Sequence, residues 1–516
     1  MPRLIRLLGR LGFRPWIRPF QKALERPWES QESCLRNIIK RNMNTVYGKH
    51  YGFGDIRSPE EYQQQVPIST YNDMQPYFES IGNGTPNVLF PDPVICFLLT
   101  SGTSGQPKLL PLSNAGLADF HRQDFIVFGN LLQKALRSDA FSAHLLTFSA
   151  PEILPQRKGK YPVGYITGVI STQVPTLYKF FNRIHPTRPV LNMTDWKTKL
   201  YQTALETIGQ DIRVMFGMPS NIVAFLRALV QDLAPSLLSD DKTSTFIKNH
   251  LRRSMVGGEL QLNKLWPEMR TLIYGGVHVE PYLPFLKSHF ESLATIAIYW
   301  ATEGALGLQV FDEGINLALD TVFFEFLPEG QLSDVKPLML SDVKRKTTYH
   351  ILITTVGGFY RYDIGDLIQF TNLDPPTIEI VGRAGTVASI AGERLLEQQV
   401  VDALKRSCDA VSASIAAFTV VPNVSAKRTG YDIYVEFLRE PKSLTDFETS
   451  FDEALCQLNF GFQSEREADV LSATRFFKVP EGTLARLAEA NHPVQGAGKI
   501  PVISQPEILQ QLRFGN

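Results

Sequence analysis

Apolar residues change their spacing several times along the chain, and each change predicts an element. Leu35, Ile38 and Ile39 fall at helical spacing within 23–52, and 114–137 carries a second stretch of that period. Short apolar runs that read as buried strands occur at 93–99, 144–149, 212–216, 271–274 and 295–300. Helical stretches at 221–233 and about 280–290 alternate with the later runs, which predicts an α/β fold with a largely parallel sheet. Between them, 67–76 reads as a connector with a helix cap at Asn72 or Asp73. From 308 to 371 the pattern shifts to short β runs at 322–326, 350–355 and 367–370, predicting a small β-rich layer. Beyond Gly382 it changes again, to a helix at 394–407, strands near 414–421 and 431–438, and a helix at 443–458. The predicted organisation is a basic amphipathic segment at 1–22, a large domain at 23–383, a hinge at 384–393 and a small α+β domain at 394–516.

Composition narrows the class. The 52 basic residues balance the 52 acidic ones, so no global field argues for nucleic acid as a partner. The four cysteines are widely spaced and form no C-x-x-C, which speaks against a disulfide framework and fits a cytoplasmic protein. No apolar run reaches the roughly 18 residues of a membrane span. The N-terminus departs from this average. Arg3, Arg6, Arg10, Arg14, Arg18 and Lys22 occur with no acid before Glu25, interleaved with leucines and Phe13. A helix packed on its own domain with a solvated basic side is the plainer reading; a weak membrane-surface contact or an organelle transit peptide is the alternative.

Candidate chemistry begins at Thr100-Ser-Gly-Thr-Ser-Gly-Gln-Pro-Lys108, after the first predicted strand. Gly102 and Gly105 let backbone N–H groups approach an anion, and Thr100, Ser101, Thr103, Ser104 and Lys108 add donors. A proline between the last glycine and the lysine sets it apart from a Walker A loop. Four later segments complete a constellation. Tyr299-Trp-Ala-Thr302-Glu303 ends a buried strand, where an aromatic can stack on a base, Thr302 can bond a phosphate and Glu303 can offer hard oxygen to a cation. Tyr360-Arg-Tyr-Asp-Ile-Gly-Asp366 ends in a carboxylate able to accept from two hydroxyls. Gly382-Arg383-Ala-Gly385 and Gly392 carry glycines that can absorb rotation between domains. Gly496-Ala-Gly-Lys499 places a cation on a glycine-flanked loop, able to neutralise a developing oxyanion. Each segment alone has a plainer reading: a polar turn, a capped strand end, a hairpin, a static linker, a solvated lysine.

In this order the five segments resemble the adenylate-forming superfamily of acyl-CoA synthetases, peptide-synthetase adenylation domains and luciferases. Ser101–Pro111, Leu265-Trp-Pro267, Phe323–Pro328 and Thr354–Asp366 are more closely similar to the auxin-responsive (Gretchen Hagen three) acyl-acid amido synthetases, over a span from about residue 23 to the end. The resemblance implies a two-domain enzyme, in which the small domain rotates, using ATP and Mg²⁺. It implies that Ser101, Thr103 and Ser104 contact phosphates, that Tyr299, Thr302 and Arg383 border the nucleotide, that Glu303 holds Mg²⁺ and that Asp366 takes the ribose. Lys499 assists adenylation, with Glu303 and Thr302, and Phe125, Phe128, Met218 and Val277 line the pocket for the acid.

The implied reaction joins a small carboxylic acid, through its adenylate, to an amine, with an amino acid as the expected acceptor. Gly385 stands where the superfamily has its hinge acid, and Gly392-Glu-Arg394-Leu is closer to thioester-forming enzymes. A CoA or carrier-protein ligase is therefore the runner-up, and a non-enzymatic nucleotide-binding homologue the third reading.

Overall fold

The structure is a computed structural model that describes residues 2–100, 108–134, 144–175, 183–276, 278–311, 314–329, 336–384, 388–391, 393, 395–425, 428–490 and 499–504. Its largest sheet contains β1 (His144–Thr147), β2 (Arg183–His185), β3 (Ile212–Gly217), β4 (Thr271–Tyr274), β5 (Ala294–Ala301) and β6 (Gly304–Leu308). It continues through β7 (Ile315–Leu317), β8 (Val322–Pro328), β9 (Thr348–Thr355), β10 (Tyr362–Leu373) and β11 (Pro376–Arg383). The lateral order is β8-β9-β10-β11-β7-β6-β5-β4-β3-β1-β2.

Strands β2, β1, β3, β4 and β5 are parallel, and every pairing from β5–β6 to β8–β9 is antiparallel. Connection length explains the change: helices fill the crossovers between parallel strands, whereas only two residues join β5 to β6. The β-rich stretch expected after 308 is therefore present, and it extends the parallel sheet edge to edge. Alternation sorts the side chains of the parallel half. Leu145, Val214, Ile273 and Ile298 join one core, and Leu146, Met215 and Leu272 join another on the opposite face.

Helices cover both faces. Pro27–Asn42 buries Leu35 and Ile38 in the first core, while Pro219–Ala228 buries Ile222, Phe225 and Leu226 in the second. The helical run Pro219–Ser239 is long and apolar enough to cross a membrane by length and composition, yet these buried residues make it a core element. The helix expected across 23–52 is broken by Pro27 and by Thr45, whose hydroxyl accepts from Gly48 N–H at 2.9 Å. The connector at 67–76 is the start of a helix, Tyr71–Gly82, with the cap at Thr70 and Asp73 completing a capping box.

The basic N-terminal segment forms the helix Pro2–Glu25. Phe13, Ile17 and Phe20 are buried while Arg14, Arg18 and Lys22 are exposed. It lies against the helix Asn114–Lys134, and Gly129 permits the approach: a Cβ there would stand 2.5 Å from Ile17 Cδ1.

Residues beyond β11 build their own core. A hairpin of Ser414–Ser425 and Arg428–Arg439, with Arg475–Lys478 parallel to its second strand, is packed by the helices Glu397–Val411 and Leu444–Leu458. All four cysteines are free.

Candidate active site

Ala301 already pairs with Gly304, so Thr302 and Glu303 are the whole turn between β5 and β6. A two-residue turn puts both at the carboxyl ends of the parallel strands, where α/β sheets gather ligands. Glu303 is half-buried, and burial holds its carboxyl above the usual carboxylate range against the opposing pull of Arg383 and Lys108.

Asp366 and Arg383 face each other across the β10–β11 pairing. Arg383 Nε lies 3.0 Å from Asp366 Oδ1, and the guanidinium also donates to the Ile364 carbonyl at 2.8 Å. From β5, the Tyr299 hydroxyl donates to Asp366 Oδ2 at 2.8 Å. Gly365, at φ +78, takes a left-handed conformation that L side chains resist, just before Asp366.

Lys499 reaches the same place from the small domain. Its segment is tied to the strand Ser414–Ser425: Val420 N–H donates to the Val502 carbonyl at 2.8 Å, and Ser504 N–H to the Val420 carbonyl at 2.8 Å. Lys499 Nζ then rests against Gly276, where a Cβ would lie 3.0 Å from Nζ and 3.7 Å from Met218 Cγ. Burial and the neighbouring Arg383 push the Lys499 ammonium below the usual lysine range, while Asp366 and Glu303 pull it back up.

The loop that opened the motif series is closed at its base. Thr100 N–H donates to the Lys108 carbonyl at 3.0 Å, and Lys108 N–H donates to Thr100 Oγ1 at 3.1 Å. The Lys108 ammonium lies 5.4 Å from the centre of the Tyr71 ring. Ser101, Gly102, Thr103, Ser104 and Gly105 lie outside the described residues, as do Val277, Gly385 and Gly392.

The structure thus gathers Lys499, Met218, Glu303, Asp366, Arg383 and Tyr299 around one set of strand ends, with Thr302 in the same turn as Glu303. Two of these side chains are engaged within the protein. Tyr299 is 4% exposed, with its hydroxyl on Asp366. Phe125 packs on the N-terminal helix, its ring centre 4.4 Å from that of Trp16, while Phe128 lines the cavity described below. Arg361, in the same motif as Asp366, braces the core. It sits at φ +48, binds Glu325 through Nε and Nη2, and donates Nη1 to the carbonyls of Gln63 and Val66 at 2.8 and 2.6 Å.

Between the parallel strands and the helix Asn114–Lys134 lies a cavity of about 20 Å³, the room of about one water. Its wall is apolar except for Asp124, Thr147 and Ser171, with Trp300 across it. Sequence reasoning missed these residues. The signal was available for Asp124, a carboxylate directly before the apolar run Phe125-Ile-Val-Phe128.

Comparison with known proteins places the chain in a family. Three family models match in order: the GH3 family N-terminal domain over residues 17–295, the central domain over 315–383 and the C-terminal domain over 398–507. A jasmonoyl–L-amino acid synthetase of Nicotiana attenuata is 25% identical, with 96% of this chain and 93% of that protein covered. An indole-3-acetic acid-amido synthetase of Arabidopsis thaliana is 24% identical, over 82% of this chain and 79% of its own. Among solved structures, the acyl acid amido synthetase AtGH3.15 in complex with 2,4-DB superposes with a TM-score of 0.78 at 20% identity, covering 98% of this chain and 96% of that one. A 2-hydroxyisobutyryl-CoA ligase in its postadenylation state shares the fold at a TM-score of 0.57 and 11% identity, covering 93% and 90%. The N-terminal model alone spans more than half of the 516 residues, and the chain belongs to the GH3 family.

Proposed function

We propose that this protein is an ATP-dependent ligase that adenylates a small carboxylic acid and passes the acyl group to the amine of an amino acid. One observation carries the reading: Lys499, from the small domain, stands against Gly276 at the strand ends that also hold Glu303 and Asp366. A cation delivered across a domain boundary to a cluster of acceptors suits a reaction whose charge develops on a phosphoryl group. Membership of the family, and relatives that join acids to amino acids, support the same reading.

In this scheme the acid's carboxylate attacks the α-phosphate of ATP, forming acyl-adenylate and releasing pyrophosphate. Lys499 neutralises the attacking and transferring oxygens, and the loop after Thr100 grips the departing pyrophosphate. Asp366, its oxygens aligned by Tyr299 and Arg383, accepts from the ribose hydroxyls. The residues fit Mg²⁺. Among the described residues no cluster of three metal-ligating side chains occurs, and Mg²⁺ commonly takes one carboxylate, here Glu303, together with phosphate oxygens and water. When bound it would spread the charge of the phosphates.

Rotation of the small domain about 384–393 would then withdraw Lys499 and admit the amine, the reaction taking place in the cytoplasm. The segment beyond β11 leaves the large domain through one backbone hydrogen bond and folds back on itself further along. Ala384 N–H donates to the Gly365 carbonyl at 2.6 Å, and Ala388 and Leu395 pair across its far part.

Pyrophosphate release from ATP with a panel of carboxylic acids tests the first half. Mass spectrometry of products formed with amino acids or with thiols tests the second. Silence across a broad acid panel would sink the ligase reading, and acyl thioesters without amides would move it to the runner-up.

A further inference from the structure

We propose that the acid carries a hydrogen-bond donor, a hydroxyl or an amine, away from its reacting carboxylate, and that Asp124 and Thr147 receive it. This rests on the ligase reading for where the carboxylate lies. Thr147 ends β1, Phe216 is next to last in β3 and Trp300 next to last in β5, and all three line the cavity. Met218, Gly276 and Glu303 follow closely after β3, β4 and β5. An acid reacting beside Lys499 therefore has this cavity next to it for the rest of its skeleton.

The cavity's polar groups are few, and one of them, Asp124, can only accept when ionised. Thr147 is 1% exposed and its hydroxyl has no hydrogen-bond partner. Asp124 is 15% exposed at its side chain and pairs with His121, whose Nδ1 stands 3.6 Å from Oδ2. Burial pushes the Asp124 carboxyl above its ordinary range, with His121 opposing. In either protonation state a carboxyl keeps an acceptor oxygen.

The indole N–H of Trp300 is already given to Gln123 Oε1 at 2.6 Å, and Gln123 Nε2 to the Ala305 carbonyl at 2.7 Å. That leaves the second oxygen of Asp124, and the Thr147 hydroxyl, which can accept or donate, on a mostly apolar wall. A donor on the ligand would satisfy them, whereas a purely apolar acid would bury them unpaired, the situation in which sites discriminate most strongly. When ionised, Asp124 repels the acid's carboxylate and turns that end toward Lys499. At about 20 Å³ the cavity admits the acid only as side chains such as Phe128 or Trp300 shift.

Binding measured by calorimetry without ATP tests this. Phenylacetate is compared with its 3- and 4-hydroxy and -amino derivatives, and hexanoate with 6-hydroxy- and 6-aminohexanoate. The wild type should bind at least one donor-bearing acid about tenfold or more tighter than its parent. Asp124→Leu should shrink that preference to within about twofold, with Thr147→Val as the second variant should Asp124→Leu fail to fold. The hydroxyl and amino arms decide which donor is used.

Equal binding of parent and derivative in both series, or a preference unchanged in the variants, overturns the proposal. Pyrophosphate release on the same acids separates the two claims. Preference without release removes the ligase reading and keeps the donor site; release without preference does the reverse.

Discussion

The Tyr299 hydroxyl donates a 2.8 Å hydrogen bond to Asp366 Oδ2, while Arg383 Nε holds Oδ1 of the same carboxylate at 3.0 Å. Three strands, β5, β10 and β11, thereby fix one carboxylate before any nucleotide arrives. Hydrogen bonds to charged groups are worth about 1.5–3 kcal/mol, so Tyr299→Phe should raise the KM for ATP about tenfold while kcat changes less. Steady-state pyrophosphate release checks this. An unchanged KM would mean that Asp366 needs no such alignment.

Lys499 and Gly276 form a second testable pair. Removing an oxyanion-stabilising donor costs about 10²–10³ in rate, so Lys499→Ala should slow adenylation by that factor and leave the thermal midpoint nearly unchanged. Gly276→Ala should slow it less. Its Cβ would meet the flexible end of Lys499, and its φ of +82 is one that L side chains rarely adopt. The double variant should be no slower than Lys499→Ala, because both changes act through one contact. Additive losses would place Gly276 in a separate role.

The pH profile of adenylation should be bell-shaped. Glu303 must be ionised to hold a cation, and burial raises its pKa, so activity should climb as pH rises through a value above the ordinary glutamate range of about 4.3. Lys499 must be protonated, and burial with Arg383 lowers its pKa, so activity should fall as pH rises through a value below the ordinary lysine range of about 10.4. Lys499→Arg, which stays protonated, should lose the alkaline fall in kcat/KM while keeping some activity. An alkaline limb that persists in Lys499→Arg belongs to another group.

Stability should respond most to the buried pair of Arg361 and Glu325, whose side chains are 4% and 1% exposed. Removing one partner of such a pair strands the other charge, so Glu325→Ala should cost about 3–5 kcal/mol in denaturant unfolding followed by tryptophan fluorescence. A cost under about 1 kcal/mol would show that Gln63 and Val66 carbonyls satisfy Arg361 alone.

Legibility in the sequence followed how local each signal was. The helix at 114 and the runs at 212, 271 and 295 were readable because period and length are properties of neighbouring residues. The strand Pro376–Arg383 was not. No element is expected from its eight residues, and pairing with β10 and β7 makes them a strand. The Tyr71–Gly82 helix was hidden by Pro67 and Pro76, although Thr70 and Asp73 spelled its capping box.

By itself the sequence determined the order of the chemical parts, from Thr100–Lys108 through Glu303 and Asp366 to Lys499, since motif spacing survives in one dimension. It determined too that an α/β unit precedes a small α+β one. What only the tertiary structure decided is which groups share a field and which face each side chain serves. It put the Tyr299 hydroxyl on Asp366, packed Phe125 on the N-terminal helix, and set Asp124 and an unpartnered Thr147 on one cavity wall. Those outcomes depend on desolvation and on contacts between residues distant in the chain, which no local pattern encodes.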